Sequence, residues 1–252
     1  MNTFLNDFFN RIQYEKQDVT FEDICALQSQ FAKHIPFENM SIIKKENIDL
    51  TFEDLKRKII DNRRGGVCYE LNPLFYYALK ELGFDVHLIG GTVFSNEENR
   101  LIQTHFATIL HHNGQRYLID VGFGSHHALQ PLPFTGETVT SSTGEYRIQK
   151  KKTTFGEYAF EKYQDGKLEI GYDFFTSPID ETALQNAQQI ITHHEQSPFN
   201  KSPLLAKRTD DGHITLTDKT YTVTKGKQKS KQTIDRQTFQ ALALREFGIA
   251  VE

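Results

Sequence analysis

The hydrophobic pattern of this chain changes period at Gly83. Before it, apolar residues recur every three or four positions. After it, short β-branched and aromatic runs alternate with turn residues. A chain that switches in this way has to set a helical block beside a β block, so the fold class is α+β. In the helical block, Asn2–Tyr14 carries Phe4, Leu5, Phe8, Phe9 and Ile12 on one face. Phe21–His34 carries Phe21, Ile24, Cys25, Gln28 and Phe31, which places Cys25 in the core. Pro36 breaks the chain, and Thr51–Asn62 is entered through a capping box at Thr51-Phe52-Glu53-Asp54. A fourth helix begins at Cys68, with Leu71, Leu74, Phe75, Ala78, Leu79 and Leu82 at helical spacing and Gly83 as its stop.

Residues 84 to about 178 are expected to be mainly β. Val86–Ile89, Thr92–Phe94, Gln103–Leu110, Gln115–Val121, Thr138–Lys151, Gly156–Tyr163 and Lys167–Phe174 have strand composition, and Asn96–Arg100 has that of a charged loop. A helix follows over Asp180–His194, broken at Ser197-Pro198-Phe199. A strand pair lies within Thr209–Val223, and a last helix spans Asp235–Phe247. The basic run Thr224–Lys231 is expected as a solvated loop, with contact to an anionic ligand as the sharper alternative.

The 252 residues allow one large domain or a few small ones, and 38% hydrophobic with 25% charged residues is the composition of a globular protein. A net charge of -4 argues against a nucleic-acid partner held by bulk electrostatics. Two cysteines make no disulfide framework and suit a reducing compartment. Met1–Tyr14 lacks the features of a signal peptide, and no apolar stretch has the length of a membrane span. A cytoplasmic protein with no membrane partner is therefore expected.

Cys68 follows Arg64-Gly65-Gly66-Val67 and opens a helix. A helix N-terminus carries partial positive charge and free N–H groups, which favours the thiolate. The glycines allow close backbone approach. The competing reading is a small buried hydrophobe. Asn113-Gly114 supplies the next constraint, because that pair favours a two-residue hairpin loop. Residue 112 then faces 115, His105 faces Gly122, and Asp120 faces Ala107. His105 and Asp120 become diagonal neighbours on one face, whereas a three-residue loop would separate them. Asp120 lies between Ile119 and Val121, where a carboxylate needs a partner. A purely structural His–Asp pair would satisfy it. With Cys68 added, the set becomes a nucleophile, a base and a group that orients the base.

Ile35-Pro36-Phe37-Glu38-Asn39, Arg64–Asn72, Thr104-His105 and Asp120-Val121-Gly122-Phe123-Gly124 together resemble the arylamine N-acetyltransferase family, in order and over the first half of the chain. The resemblance implies a helical bundle over 1–83 carrying the nucleophile and a β-barrel-like domain over 84–178 carrying the histidine and aspartate. An interdomain helix over 179–198 and a small C-terminal α/β lid over 199–252 complete it, around a Cys-His-Asp core like that of cysteine proteases. It further implies Cys68 as the acetyl-accepting thiolate, His105 as base and Asp120 as the residue orienting His105. Phe37 and Phe123 become walls of an acceptor pocket, while Thr104, Gly124 and Phe199 approach coenzyme A. Glu38 and Arg64 become a structural ion pair. The implied activity is acetyl-CoA-dependent N-acetylation of aromatic amines or hydrazines by a ping-pong mechanism through an acetyl-cysteine. Under this resemblance the anionic ligand of the basic run would be the phosphates of coenzyme A.

A biosynthetic amide synthase would use the same triad, a thiol hydrolase would pass the acyl group to water, and a silent binding module would have no use for it. No metal is expected. The histidine pairs 111/112, 126/127 and 193/194 lack a zinc-helix pattern and are placed in turns and on the surface.

Overall fold

A computed structural model describes residues 3–16, 18–46, 48–94 and 101–251. The expected helix start at Asn2 and the loop Asn96–Arg100 lie outside the described residues. Helix α1 (Thr3–Ile12) buries the predicted face of Phe4, Leu5, Phe8, Phe9 and Ile12. Helix α2 (Ile24–His34) buries Ile24, Leu27, Gln28 and Phe31, and Cys25 is exposed, contrary to its expected place in the core. The reason is a phase shift. Phe21–Asp23 forms a tighter 3₁₀ turn, and Phe21 stacks on His112 at 4.3 Å instead of joining the helix stripe. Leu27 takes its place in the stripe and turns Cys25 outward.

Strand β1 (Phe37–Glu38) and helix α3 (Met40–Ile43) follow Pro36. Helix α4 (Phe52–Leu55) starts at Thr51, whose hydroxyl accepts the Asp54 N–H, and continues as a wider π turn over Lys56–Asp61. Helix α5 (Cys68–Glu81) stops at Gly83, which has φ +86°.

The two strands expected between Val86 and Phe94 are one, β2 (Asp85–Phe94), which runs through Gly90-Gly91. Strands β3 (His105–His112) and β4 (Gln115–Ile119) pair His112 with Gln115 and Thr108 with Ile119. The loop is therefore two residues, Asn113 at φ 50° and Gly114 at φ 74°. Strands β5 (Leu132–Pro133), β6 (Val139–Ser141), β7 (Gly144–Thr153), β8 (Gly156–Gln164) and β9 (Lys167–Phe174) complete the sheet. A turn before Gly144 divides the single strand expected over Thr138–Lys151. The eight strands run in the order β5-β4-β3-β2-β9-β8-β7-β6. They curl into a nearly closed barrel, with β5 approaching β7, around Ile109, Leu118, Tyr146, Phe160, Tyr172 and Phe174.

Helix α6 (Glu181–His193), capped by Asp180, packs Leu184, Ala187 and Ile191 against the helical core. Four strands follow: β10 (Leu204–Arg208), β11 (Gly212–Thr217), β12 (Thr220–Lys225) and β13 (Gln228–Thr233). The strand pair expected over Thr209–Val223 is thus the middle of a larger sheet. Its outer member β13 turns the expected basic loop into an exposed hairpin. Helix α7 (Arg236–Phe247) is capped by Asp235 and by Gly248 in the left-handed conformation. The sheet order is β1-β10-β11-β12-β13, so β1 carries the Pro36 segment into the C-terminal sheet, with Phe37 opposite Ala206. No helix of the described residues is long and apolar enough to cross a membrane.

Candidate active site

Cys68 is the first residue of α5. The helix start is anchored independently of the thiol. Glu70 accepts the Val67 N–H at 3.0 Å and pairs with the buried Lys58 at 2.6 Å. The loop before it lies against the Pro36 segment: Glu38 N donates to Gly66 O at 2.9 Å, and a Cβ on Gly65 would fall 2.0 Å from Pro36 O. That contact is what requires glycine at 65. Arg64 and Glu38 form the expected ion pair, at 2.9 Å. The Cys68 thiol donates to Thr104 O at 3.3 Å, at the threshold of β3.

One helical turn further, Asn72 ties α5 to the hairpin. Its amide donates to Phe106 O at 2.5 Å and to Asp120 Oδ1 at 3.0 Å, and its Oδ1 accepts the Val121 N–H at 2.9 Å. Gly122 lets the two elements touch. A Cβ there would lie 2.6 Å from Asn72 Nδ2 and 2.9 Å from Cys68 Cα. The helix start and the hairpin face therefore meet, which their separate sequence patterns could not establish.

His105 Nε2 lies 2.7 Å from Asp120 Oδ2, as the two-residue loop predicts. Tyr172 OH donates to the same oxygen at 3.0 Å, and Gly122 N donates to Oδ1 at 2.9 Å. With Asn72, each carboxylate oxygen has two partners, which satisfies a buried charge. Burial alone would push both groups toward neutrality. Their mutual attraction outweighs it, with Asn72 and Gly122 N helping the carboxylate and Cys68 helping the imidazole. Asp120 is held below the ordinary carboxylate range and His105 is raised to about 10. Burial and the charge of Asp120 keep the Tyr172 phenol protonated. Nε2 is committed to Asp120, so Nδ1 is the His105 nitrogen left for Cys68.

These groups open into a cavity of about 510 Å³ lined by Cys68, His105, Phe37, Phe123, Thr104, Gly124 and Phe199. Seven of the eight residues singled out in the sequence thus share one cavity, and Asp120 stands behind His105. Phe37 and Phe199 bring their rings to 5.6 Å, and Phe123 sits 4.7 Å from His105.

Sequence reasoning missed Asn72, although it lies four residues after Cys68 on the same helix face. It also missed Tyr172, whose role depends on β9 lying next to β2. Leu204, Ala206 and Thr215 reach the cavity only through the C-terminal sheet. The pair His126 and His127 is not a surface turn as expected. His126 lines the cavity, where Lys162 approaches its Nδ1 at 3.3 Å, and His127 is buried in the loop that Asp120 begins.

The N-acetyltransferase family profile matches residues 20–252. The chain is 40% identical over 225 residues to an uncharacterized acetyltransferase of Bacillus subtilis, YvcN, covering 88% of this chain and 89% of that protein. Its fold superposes on the NAT3 arylamine N-acetyltransferase of Bacillus cereus with a TM-score of 0.95 and 44% identity, over 100% of both chains. That enzyme is described as having a unique Cys-His-Glu catalytic triad, whereas the carboxylate on His105 here is an aspartate. It also superposes on the Mycobacterium marinum arylamine N-acetyltransferase in complex with CoA, at a TM-score of 0.88 and 27% identity, covering 97% of this chain and 92% of that one. Fold and relatives define an acyltransferase. More narrowly, the chain belongs to the arylamine N-acetyltransferase family.

Proposed function

We propose that this chain moves an acetyl group from acetyl-CoA to an aromatic amine or hydrazine in two half-reactions, through an acetyl-cysteine at Cys68. The observation that carries the reading is the convergence of Cys68 and His105, with four-fold-bonded Asp120 behind the imidazole, on one cavity with phenylalanine walls. In the first half-reaction the Cys68 proton passes to His105, the resulting thiolate attacks the thioester carbon, and the free N–H groups of the α5 start hold the oxyanion. The carbon–sulfur bond to coenzyme A breaks, and coenzyme A leaves as its thiol with a proton from the His105 imidazolium. The coenzyme A complex of the M. marinum relative supports this donor. In the second half-reaction the amine nitrogen attacks the acetyl-cysteine. His105 takes up the proton it loses, the amide leaves, and the Cys68 sulfur is regenerated.

Aromatic acceptors suit both chemistry and walls. An arylamine is mostly unprotonated at neutral pH, and Phe37 and Phe123 offer apolar faces to its ring. Thr104, Gly124 and Phe199 are assigned to the coenzyme A side. We keep 1–83, 84–178, 179–198 and 199–252 as domain limits and place the enzyme in the cytoplasm, where two free thiols persist.

Mass spectrometry after acetyl-CoA alone tests the mechanism. One acetyl group is expected on Cys68, none on Cys25, and addition of an arylhydrazine should discharge it. Folded protein that takes up no acetyl group would sink the reading. Rapid spontaneous loss of the group to water would favour a hydrolase instead. Cys68→Ser should abolish transfer.

A further inference from the structure

Arg208 ends β10 with 9% of its surface exposed, and among the described residues no carboxylate pairs with it. Its Nε has no hydrogen-bond partner. The residue directly across in β11 is His213, so both side chains lie on one face of the sheet. Facing them is His127, 5% exposed, whose two ring nitrogens are also without partners. All three line a small internal cavity with room for the centre of one water-sized sphere, about 10 Å³. Several neighbouring charges are committed elsewhere. Lys207 donates to Glu246 O, Asp120 holds four partners, and Glu169 is bound by Lys162 at 2.8 Å.

We propose that this cavity binds a single halide-sized anion, chloride in class, held between the Arg208 Nε–H and a ring N–H of His127, with His213 alongside. A water molecule could serve the orphan nitrogens, yet it would bring no counter-charge to the buried Nε side of a guanidinium that no carboxylate pairs. A phosphoryl group exceeds the space. Burial keeps His127 neutral, with a pKa lowered to about 4, so the ring offers one N–H donor to an anion. The cavity shares Phe37, Gly124, Ser125 and Ala206 with the catalytic cavity. An ion bound there fastens β10 to the loop that follows Asp120, and so stiffens one wall of the acceptor site from behind.

The test does not depend on acetyl transfer. The unfolding temperature of the full chain is followed in sodium gluconate while chloride or bromide replaces gluconate at constant ionic strength. A saturable rise is expected, about 4 °C at ten times Kd. Sulfate should give no saturable component. Arg208→Met should lose the rise, while Lys44→Met, which removes an exposed charge in the helical block, should keep it. Crystals grown in bromide should show an anomalous peak between Arg208 and His127, which decides the matter if Arg208→Met does not fold. The same halide response in Arg208→Met, no bromide peak, or displacement of the bromide by coenzyme A would overturn the assignment, the last in favour of a ligand phosphate.

Discussion

The barrel sheet and the C-terminal sheet both reach the catalytic cavity, and they are built to different standards of polar closure. On the barrel side, every oxygen of Asp120 is satisfied, Asn72 uses both ends of its amide, and Gly122 sits against helix backbone. On the C-terminal side, the contribution is wall, from Leu204, Ala206 and the half-buried Thr215, and behind it Arg208 carries an orphan Nε that faces His127 of the barrel-side loop. The difference follows from the task. Proton transfer needs atoms fixed to within a few tenths of an ångström, whereas a wall needs only shape. The barrel side should therefore punish small changes, and the C-terminal side should absorb larger ones.

Asp120→Asn should show the largest effect. It preserves shape but removes the charge that holds His105 protonated and oriented. A loss of acetyl transfer of about 10³–10⁴-fold is expected, measured as the rate of Cys68 acetylation. Stability carries a second signature. His105 has its pKa raised in the fold, so the pair's contribution is fully present below the ordinary histidine value of about 6.5 and fades as pH rises toward about 10. Asp120 has its pKa lowered, so its share is present above about 3.9 and is lost on acidification. Urea midpoints of the wild type should decline between pH 7 and 10, and those of Asp120→Asn should decline less. Parallel curves would mean that the pair does not titrate as a unit.

Two glycines sharpen the comparison at a smaller scale. Gly122→Ala places a methyl 2.9 Å from the Cys68 Cα, which belongs to a helix backbone that cannot step aside. A cost of about 2–3 kcal/mol is expected in urea unfolding. Gly124 also lines the cavity, yet a Cβ there meets nothing within 4 Å, and only its φ of +61° opposes a side chain. Gly124→Ala should cost about 1 kcal/mol. Equal costs at the two sites would remove the claim that close approach sets the junction.

Much of this junction was legible in the sequence because its determinants are local. Asn113-Gly114 sets the hairpin loop, the loop sets the register, and the register places His105 beside Asp120. Gly65-Gly66 and the helical spacing after Cys68 mark the thiol's position. What stayed hidden depends on pairings between distant segments. Tyr172 reaches Asp120 only because β9 lies next to β2, and Gly91 makes room for its ring, with a Cβ there 2.8 Å from Tyr172 Cδ2. Phe37 meets Ala206 only through β1 and β10. Cys25 was misplaced by a 3₁₀ turn that periodicity does not show, and its exposure now predicts that Cys25→Ser changes stability by less than about 0.5 kcal/mol. Strand β13, Gln-Lys-Ser-Lys-Gln-Thr, has no apolar residue to alternate with polar ones, so it carries no period-two signal.

That strand supplies the smallest expected effect. All six residues of β13 are exposed, and it forms the outer edge of its sheet, paired on one side with β12. Lysines on an unpaired edge discourage a second chain from adding a strand. On this reasoning Lys227, Lys229 and Lys231 act through solubility and not through the cavity. Reversing Lys227 and Lys229 to glutamate should leave the urea midpoint within about 0.5 kcal/mol and the KM for acetyl-CoA unchanged at moderate salt. Replacing Lys229 and Lys231 with threonine removes charge from the edge and should promote concentration-dependent association, read by light scattering. A several-fold rise in the KM for acetyl-CoA after charge reversal would instead place this hairpin against the donor. The C-terminal sheet would then hold a phosphate as well as a wall, and the contrast between the two sheets would narrow to the acceptor side alone.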